Sequence, residues 1–276
     1  MPRLLRRERL VPNIHLLEVE APEIARRAQP GQFVIVMPDA RGERVPLTIA
    51  DWDRDRGTVT SVVMAVGTTT RKLTLLKAGD TLPIFAGPLG RPSEIGRVGT
   101  VLCAGGCFGL AAIYPLARAF KAAGNRVLVL ADVKADYLLY WRDKLEAVAD
   151  AFIVSSRDGL YGGTDYVPRH VRDILARETV DRVVAVGCTY LMSSIAEATR
   201  PAGIKTVVSL NPIMVDGTGM CGACRVTVDG QTRFACVDGP DFDAHKVDWA
   251  ELYARRKSYF DDEIRSLCAW EEERFP

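Results

Sequence analysis

The feature that most restricts how this chain can fold is the run Asp216-Gly217-Thr218-Gly219-Met220-Cys221-Gly222-Ala223-Cys224, followed after eleven further residues by Cys236. Three cysteines inside sixteen residues, spaced by glycines, demand a loop that turns back on itself. A plant-type 2Fe-2S site uses Cys-x4-Cys-x2-Cys and a distant fourth Cys, because a glycine-rich loop must wrap one iron. Asp216 stands at the first of those positions, and a carboxylate can ligate ferric iron. Asp216, Cys221, Cys224 and Cys236 therefore make a complete candidate ligand set. Gly217, Gly219 and Gly222 allow the positive dihedrals that such wrapping needs. A zinc tetrahedron and a glycine-rich turn with merely buried thiols are the other two meanings of this spacing, which alone does not separate them.

The 276 residues are 48% apolar and 26% charged, proportions of a globular chain with room for two compact domains and an appendage. The 36 Lys and Arg nearly balance the 35 Asp and Glu, with no block of one sign. That excludes the electrostatic footprint of a nucleic-acid or anionic-membrane binder. Arg6-Arg7 is followed by Glu8-Arg9 rather than an apolar stretch, so no signal peptide is expected. No apolar run approaches the roughly 20 residues that span a bilayer. The expectation is a cytoplasmic protein without membrane insertion, and seven cysteines, an odd number, suit metal ligation in a reducing compartment.

Three regions and a tail follow from the patterning. Residues 1–97 carry short β-branched runs such as Gln32–Val36 and Thr58–Met64, broken at Pro30-Gly31, Asp39–Gly42, Arg56-Gly57 and Ala78–Asp80. They predict an antiparallel barrel or sandwich. Residues 98–210 alternate strands (Thr100–Ala104, Arg126–Asp132, Arg182–Val186) with helical patterns such as Leu110–Ala123, which predicts a parallel α/β sheet. Residues 211–248 form the cysteine-rich segment, and 249–276 a charged helical tail. Trp249, Tyr253, Tyr259, Phe260, Leu267 and Trp270 could give the tail an apolar face, for its own fold or for a partner.

Gly105-Gly106-Cys107-Phe108-Gly109 lies between a predicted strand and a predicted helix, where backbone amides and the helix dipole can receive a pyrophosphate. Asp132 ends the next strand, about where an acidic side chain would bind ribose hydroxyls and repel a 2′-phosphate; a helix-capping aspartate is the plain alternative. Gly187-Cys188-Thr189, with Met192 beyond, ends a later strand and would face a nicotinamide. NAD(H) is favoured, while nearby Lys134 and Arg126 leave NADP(H) open. Cys103, Cys107, Cys188 and Cys268 lack ligand spacing and are expected to be buried or partly buried. His15, His170 and His245 form no acid-base constellation.

Together these residues resemble the ferredoxin-NADP reductase superfamily. More narrowly, nearly the whole chain, most specifically residues 209–228 and 234–240, resembles the small (FAD, 2Fe-2S) subunit of NADH-dependent reduced ferredoxin:NADP oxidoreductase, also described as the sulfide dehydrogenase beta subunit. The resemblance implies a multidomain β plus α/β fold: an antiparallel FAD-binding β-barrel, a parallel-sheet nucleotide-binding domain and a small C-terminal 2Fe-2S segment. It implies FAD bound by Arg44, Pro46, Leu47 and Thr48 and by Val66, Gly67, Thr68, Thr69 and Thr70, an Arg pairing with the pyrophosphate and hydroxyls reaching phosphate or flavin N5. Two departures stand out. The superfamily's Arg-x-Tyr-Ser pattern would put a stacking Tyr at Leu47, and the close family commonly has proline where Cys188 stands.

The implied activity is that of an NAD(P)H-dependent flavin iron-sulfur oxidoreductase subunit. It would exchange hydride between NAD(H) and FAD and pass single electrons through the 2Fe-2S cluster to a larger iron-sulfur flavoprotein related to the small subunit of glutamate synthase. Flavin-based electron bifurcation with ferredoxin and NADP would be a property of that complex. Cofactors do the chemistry, so no catalytic side chain is expected. The related dihydroorotate dehydrogenase electron-transfer subunit uses a fourth Cys where this chain has Asp216. A non-catalytic, zinc-containing assembly subunit is the alternative from another class.

Overall fold

The computed structural model describes residues 1–156 and 166–274. Seven antiparallel strands build the first unit: β1 (Arg3–Val11), β2 (Ile14–Glu20), β3 (Phe33–Met37), β4 (Val45–Thr48), β5 (Asp51–Asp53), β6 (Thr58–Met64) and β7 (Ile84–Leu89). Two short helices interrupt them, α1 (Pro22–Arg27) and α2 (Thr68–Leu73). The strands form one sheet in the order β1-β2-β6-β5 and another in the order β4-β3-β7. Alternate residues of both sheets meet in one core, Leu17, Val19, Val59 and Val63 against Val34, Val36, Leu47 and Phe85. The predicted turns fall between strands, and Gly57 (φ +64°) brings β6 in beside Pro22.

The second unit runs β8 (Thr100–Gly106), α3 (Gly109–Ala122), β9 (Arg126–Val133), α4 (Arg142–Ala147), β10 (Ala151–Ser156), α5 (Tyr166–Arg177), β11 (Arg182–Val186), α6 (Thr189–Thr199) and β12 (Lys205–Ser209). Parallel pairing gives the order β10-β9-β8-β11-β12. Both faces are covered, so the strands are near-continuous apolar runs. Val101, Cys103, Val127 and Val129 face α3 and Phe120, while Leu102, Ala104, Leu128 and Leu130 face α5 and α6 through Val171, Leu191 and Ile195. Strand β8 extends to Gly106, past the expected Ala104, because the two glycines can pair with β9 and β11 while the next helix closes over them.

The cysteine-rich segment holds a hairpin, β13 (Arg225–Val228) with β14 (Gln231–Phe234), and β15 (Asp241–Asp243), which adds antiparallel to β12 at the sheet edge. The tail divides into α7 (Trp249–Arg256) and α8 (Phe260–Arg274). Helix α7 packs on its own chain: Leu252 is buried and the Trp249 indole donates to Ala244 O at 3.1 Å. Helix α8 buries no residue. It leans on α2 through a Thr68–Ser266 hydroxyl pair at 3.0 Å and the half-exposed Arg71–Glu271 ion pair. Such a pair contributes about 1 kcal/mol at most, so α8 is held far more weakly than α7. Among the described residues, no helix is long and apolar enough to cross a membrane.

The tightest approach in the second unit is α3 against β11. A Cβ at Gly109 would stand 2.0 Å from Val186 O and 2.9 Å from Gly187 Cα, and backbone cannot yield as a side chain can. Gly109→Ala is expected to destabilise the chain by about 1–3 kcal/mol, read as a lowered melting temperature that persists without any added dinucleotide. An unchanged melting temperature would show that α3 can move off β11.

Candidate functional site

The chain builds β8, β9 and β10 outward in one direction and then returns to lay β11 on the other side of β8. Ligands of open parallel sheets bind at such a switch point, outside the carboxyl ends of the strands. Here those ends are Gly105-Gly106 and Gly187. A Cβ at Gly105 would meet Gly109 O at 2.8 Å, one at Gly106 would meet Leu191 Cδ1 at 2.7 Å, and one at Gly187 would lie 3.2 Å from Gly106 O. Close packing within the chain thus already disfavours a side chain at each of these glycines, against backbone at Gly105 and Gly187 and against a leucine methyl at Gly106.

Cys107 adopts φ +51° at the turn, and Tyr140, which sequence patterning did not single out, fixes it. The Tyr140 hydroxyl donates to Cys107 O at 2.9 Å and accepts from Ala111 N at 3.2 Å, so it caps one first-turn amide of α3. Burial raises its pKa far above the ordinary phenol range, keeping it a donor. Asp132 lies inside β9, one residue before its end, buried, with Ser155 Oγ donating to its Oδ1 at 2.9 Å. Cys188 caps α6, its sulfur accepting from Leu191 N at 3.4 Å. Met192 is fully buried, and Thr189 Oγ1 accepts from Arg256 Nη1 at 2.7 Å. Only Cys103 of the four unassigned cysteines is buried. Cys107, Cys188 and Cys268 are exposed, contrary to expectation, because they sit at a loop turn, a helix start and the unburied α8.

A cavity of about 380 Å³ opens between the barrel and this edge. Arg44, Pro46, Leu47 and Thr48 wall it on one side, Phe108 and Val186 on another, and Asn211–Met214 close it. Val66 and Thr70 line it and also a neighbouring cavity of about 620 Å³, which holds Gly67, Thr68, Thr69, Cys188 and Thr189 beneath α7 and α8. Thr70 Oγ1 accepts from Val66 N at 3.0 Å and Gly67 N at 2.9 Å, and Thr69 Oγ1 accepts from Glu43 N at 3.0 Å. These two hydroxyls are therefore spent on shaping the turn. A Cβ at Gly67 would meet nothing within 4 Å, so no packing inside the chain asks for a glycine there. An open backbone beside an open cavity fits an extended phosphate-containing ligand such as FAD. Glu43, Arg256 and Glu263 line both cavities; burial, then the Glu43 charge, raise the Glu263 carboxyl above its ordinary range. The lining carries none of the three histidines.

The cysteine loop rests on the barrel: a Cβ at Gly217 would meet Leu89 Cδ1 at 2.6 Å and Ile35 Cγ1 at 2.9 Å. Cys224 and Cys236 are buried with sulfurs 3.1 Å apart, and Cys221 is exposed on the same loop. Asp216 turns its carboxylate onto that loop, Oδ1 accepting from Thr218 N and Oδ2 from Cys221 N, both at 2.9 Å. These bonds, that from Thr218 N foremost, hold its pKa below the usual carboxylate value. Among the described residues no three His, Cys, Asp or Glu side chains already converge at metal-holding distance. Burial, with Cys224 alongside, pushes the Cys236 thiol up to about 12, a penalty that a bound cation reverses. Two buried thiols in contact, a third thiol and a carboxylate on one glycine loop suit iron-sulfur ligation in donor chemistry.

Residues 211–248 match the family described as the iron-sulfur cluster binding domain of dihydroorotate dehydrogenase B. A Thermotoga maritima protein named as a homolog of the dihydroorotate dehydrogenase B (NAD(+)) electron transfer subunit is 43% identical over 89% of this chain and 86% of its own. The Enterococcus faecalis electron transfer subunit of dihydroorotate dehydrogenase B is 28% identical over 90% of this chain and 97% of its own. A solved chain of the NADH-dependent reduced ferredoxin-NADP oxidoreductase superimposes with a TM-score of 0.91 and 40% identity, covering 98% of both chains. The resemblance expected over nearly the whole chain thus holds, and the chain belongs to this family of flavin- and iron-sulfur-dependent electron-transfer subunits.

Proposed function

We propose that this chain is the nicotinamide-facing electron-transfer subunit of a larger oxidoreductase, taking hydride equivalents from NAD(H) and delivering single electrons to a partner. The observation that carries this reading is a meeting of three segments. The barrel strand Arg44–Thr48, the switch-point edge at Phe108 and Val186, and the approach to the cysteine loop at Asn211–Met214 all wall one cavity. FAD, when bound, supplies the interconversion of two-electron and one-electron chemistry.

The chain's own residues would bind, orient and insulate. Arg44 would pair with pyrophosphate and Gly67 would let it approach the backbone, while Pro46, Leu47 and Thr48 with Val66, Thr68, Thr69 and Thr70, which line the two cavities, would wall the flavin. Gly105, Gly106 and Gly109 would admit the dinucleotide to the β8 edge, with Asp132 toward its ribose and Gly187, Cys188, Thr189 and Met192 toward its nicotinamide. Asp216, Cys221, Cys224 and Cys236 would hold the 2Fe-2S cluster. The finer reading takes the partner as a larger iron-sulfur flavoprotein related to the glutamate synthase small subunit, in a complex that bifurcates electrons between ferredoxin and NADP. A dihydroorotate dehydrogenase-type complex is the second reading, favoured by the match of residues 211–248. Asp216, in the place of a fourth cysteine, stands against it.

The deciding measurement is an anaerobic visible spectrum of the purified chain with flavin, iron and zinc quantified, then an NADH titration. One flavin and two irons per chain, bleached by NADH, is the expected result; zinc without flavin would move the function to assembly. Asp216→Ala is expected to lower iron content and alter the electron paramagnetic resonance signal of the reduced protein. An unaltered signal with two irons retained would mean that another group is the fourth ligand.

A further inference from the structure

Helix α7 carries two consecutive arginines that reach in different directions from a position fixed by other contacts. Asp248 N donates to Thr227 O at 2.9 Å, and its carboxylate caps Glu251 N at 2.9 Å. Leu252 is buried in the core, and the Tyr253 hydroxyl lies 2.9 Å from Ser193 Oγ on α6. From this base Arg255 Nη2 donates to Ala223 O at 3.2 Å, on the loop between Cys221 and Cys224. The flanking carbonyls are satisfied within the segment: Gly222 O accepts from Arg225 at 3.3 Å, and Cys224 O accepts from Ala235 N at 3.1 Å. Ala223 O is thus the carbonyl of this turn that reaches outside the segment. Arg255 Nε is buried with no partner, a cost that packing alone does not explain.

Arg256 points the other way. Its Nη1 donates to Thr189 Oγ1 at 2.7 Å and to Asn211 Oδ1 at 3.4 Å, and Asn211 Nδ2 donates to Gly187 O at 3.2 Å. One turn of helix therefore touches both the cysteine loop and the loop at the end of β11. A guanidinium stays charged at any working pH, and in a partly dry setting a fixed positive charge beside a redox group favours its reduced state.

We propose that Arg255 and Arg256 are positioning residues with separate charges to keep: Arg255 orders the cysteine loop and raises the electron affinity of what it holds, and Arg256 orders the Gly187–Thr189 loop for the dinucleotide. The inference rests on the proposed function and adds to it the residues that tune each half.

The test uses the full chain, with flavin and iron quantified for every variant. Arg255→Gln is expected to keep two irons and move the cluster midpoint, followed by electron paramagnetic resonance, to more negative potential. The shift corresponds to about tenfold weaker electron affinity, about 59 mV for a one-electron couple. Arg255→Lys should restore most of it, and the NADH dissociation constant should not move. Arg256→Gln should weaken NADH binding about tenfold and leave the midpoint in place. An Arg255→Gln midpoint equal to wild type, or an equal shift in Arg256→Gln, would overturn the proposal. If Arg255→Gln loses iron, Arg255→Lys decides: retained iron at the wild-type potential supports the charge role, and lost iron sinks it. If the wild-type chain holds neither flavin nor iron, the functional reading itself fails. Amide exchange at Gly222–Cys224 then tests the brace alone, faster in Arg255→Gln if it exists and unchanged if not.

Discussion

Val186 pairs with Gly105 in the parallel register of β11 on β8, and α3 starts against that pair with no Cβ on Gly109 to keep it away. Nearly everything else depends on this contact. It sets the width of the switch-point crevice, and it puts Phe108 and Val186 where they form the cavity wall opposite the barrel strand Val45–Thr48. The strand order leaves β8 in the sheet interior and buried from Val101 to Gly106, so its glycines are anchored between two paired strands. Tyr140, reaching across from beyond β9, locks the turn by using its one hydroxyl as both donor and acceptor.

The two glycine clusters answer to different demands. At Gly105, Gly106, Gly109 and Gly187 the missing side chains are replaced by protein atoms within 3.2 Å, so the requirement is internal packing. At Gly67 nothing lies within 4 Å, and the backbone at φ −140° is one any residue could adopt. Only the second kind points outward to a ligand. A motif read as a phosphate loop can therefore be a helix-packing device first, while an undistinguished glycine in a Thr-rich turn carries the stronger ligand argument.

This difference explains what was legible in the sequence. The barrel turns, the alternation of strands and helices and the cysteine loop could be read because each rests on local chemistry: turn residues, periodicity or ligand spacing. The wall proposed for FAD could not, since Arg44 and Thr48 have no local signature and came only through resemblance. Tyr140, Asn211, Arg255 and Arg256 were missed because their partners are far off in the chain, 33 residues for Tyr140 and Cys107 and 67 for Arg256 and Thr189. The tail looked like one helix with an apolar face. In the fold it breaks at Lys257–Tyr259, and only the first half buries a side chain, Leu252, in the body of the protein.

The route from the cavity to the cysteine loop is short for a covalent reason. Strand β12 ends at Ser209, and the next residues, Leu210 to Met214, line the cavity wall before the chain reaches Asp216. Two residues span at most about 7 Å of extended chain, so the cavity wall runs directly into the cysteine loop. Leu210 N donates to Pro240 O at 2.8 Å, which ties the far end of the cysteine segment to the same strand exit, and β15 then pairs with β12. The segment is thereby stitched to the sheet at both ends, with its loop pressed on the barrel through Gly217. Relative motion of the barrel, the sheet and the cysteine loop would strain all three seams. A chain built this way keeps the cavity wall and the cysteine loop at fixed separation and leaves the loosely held α8, beside the larger cavity, as its least anchored helix.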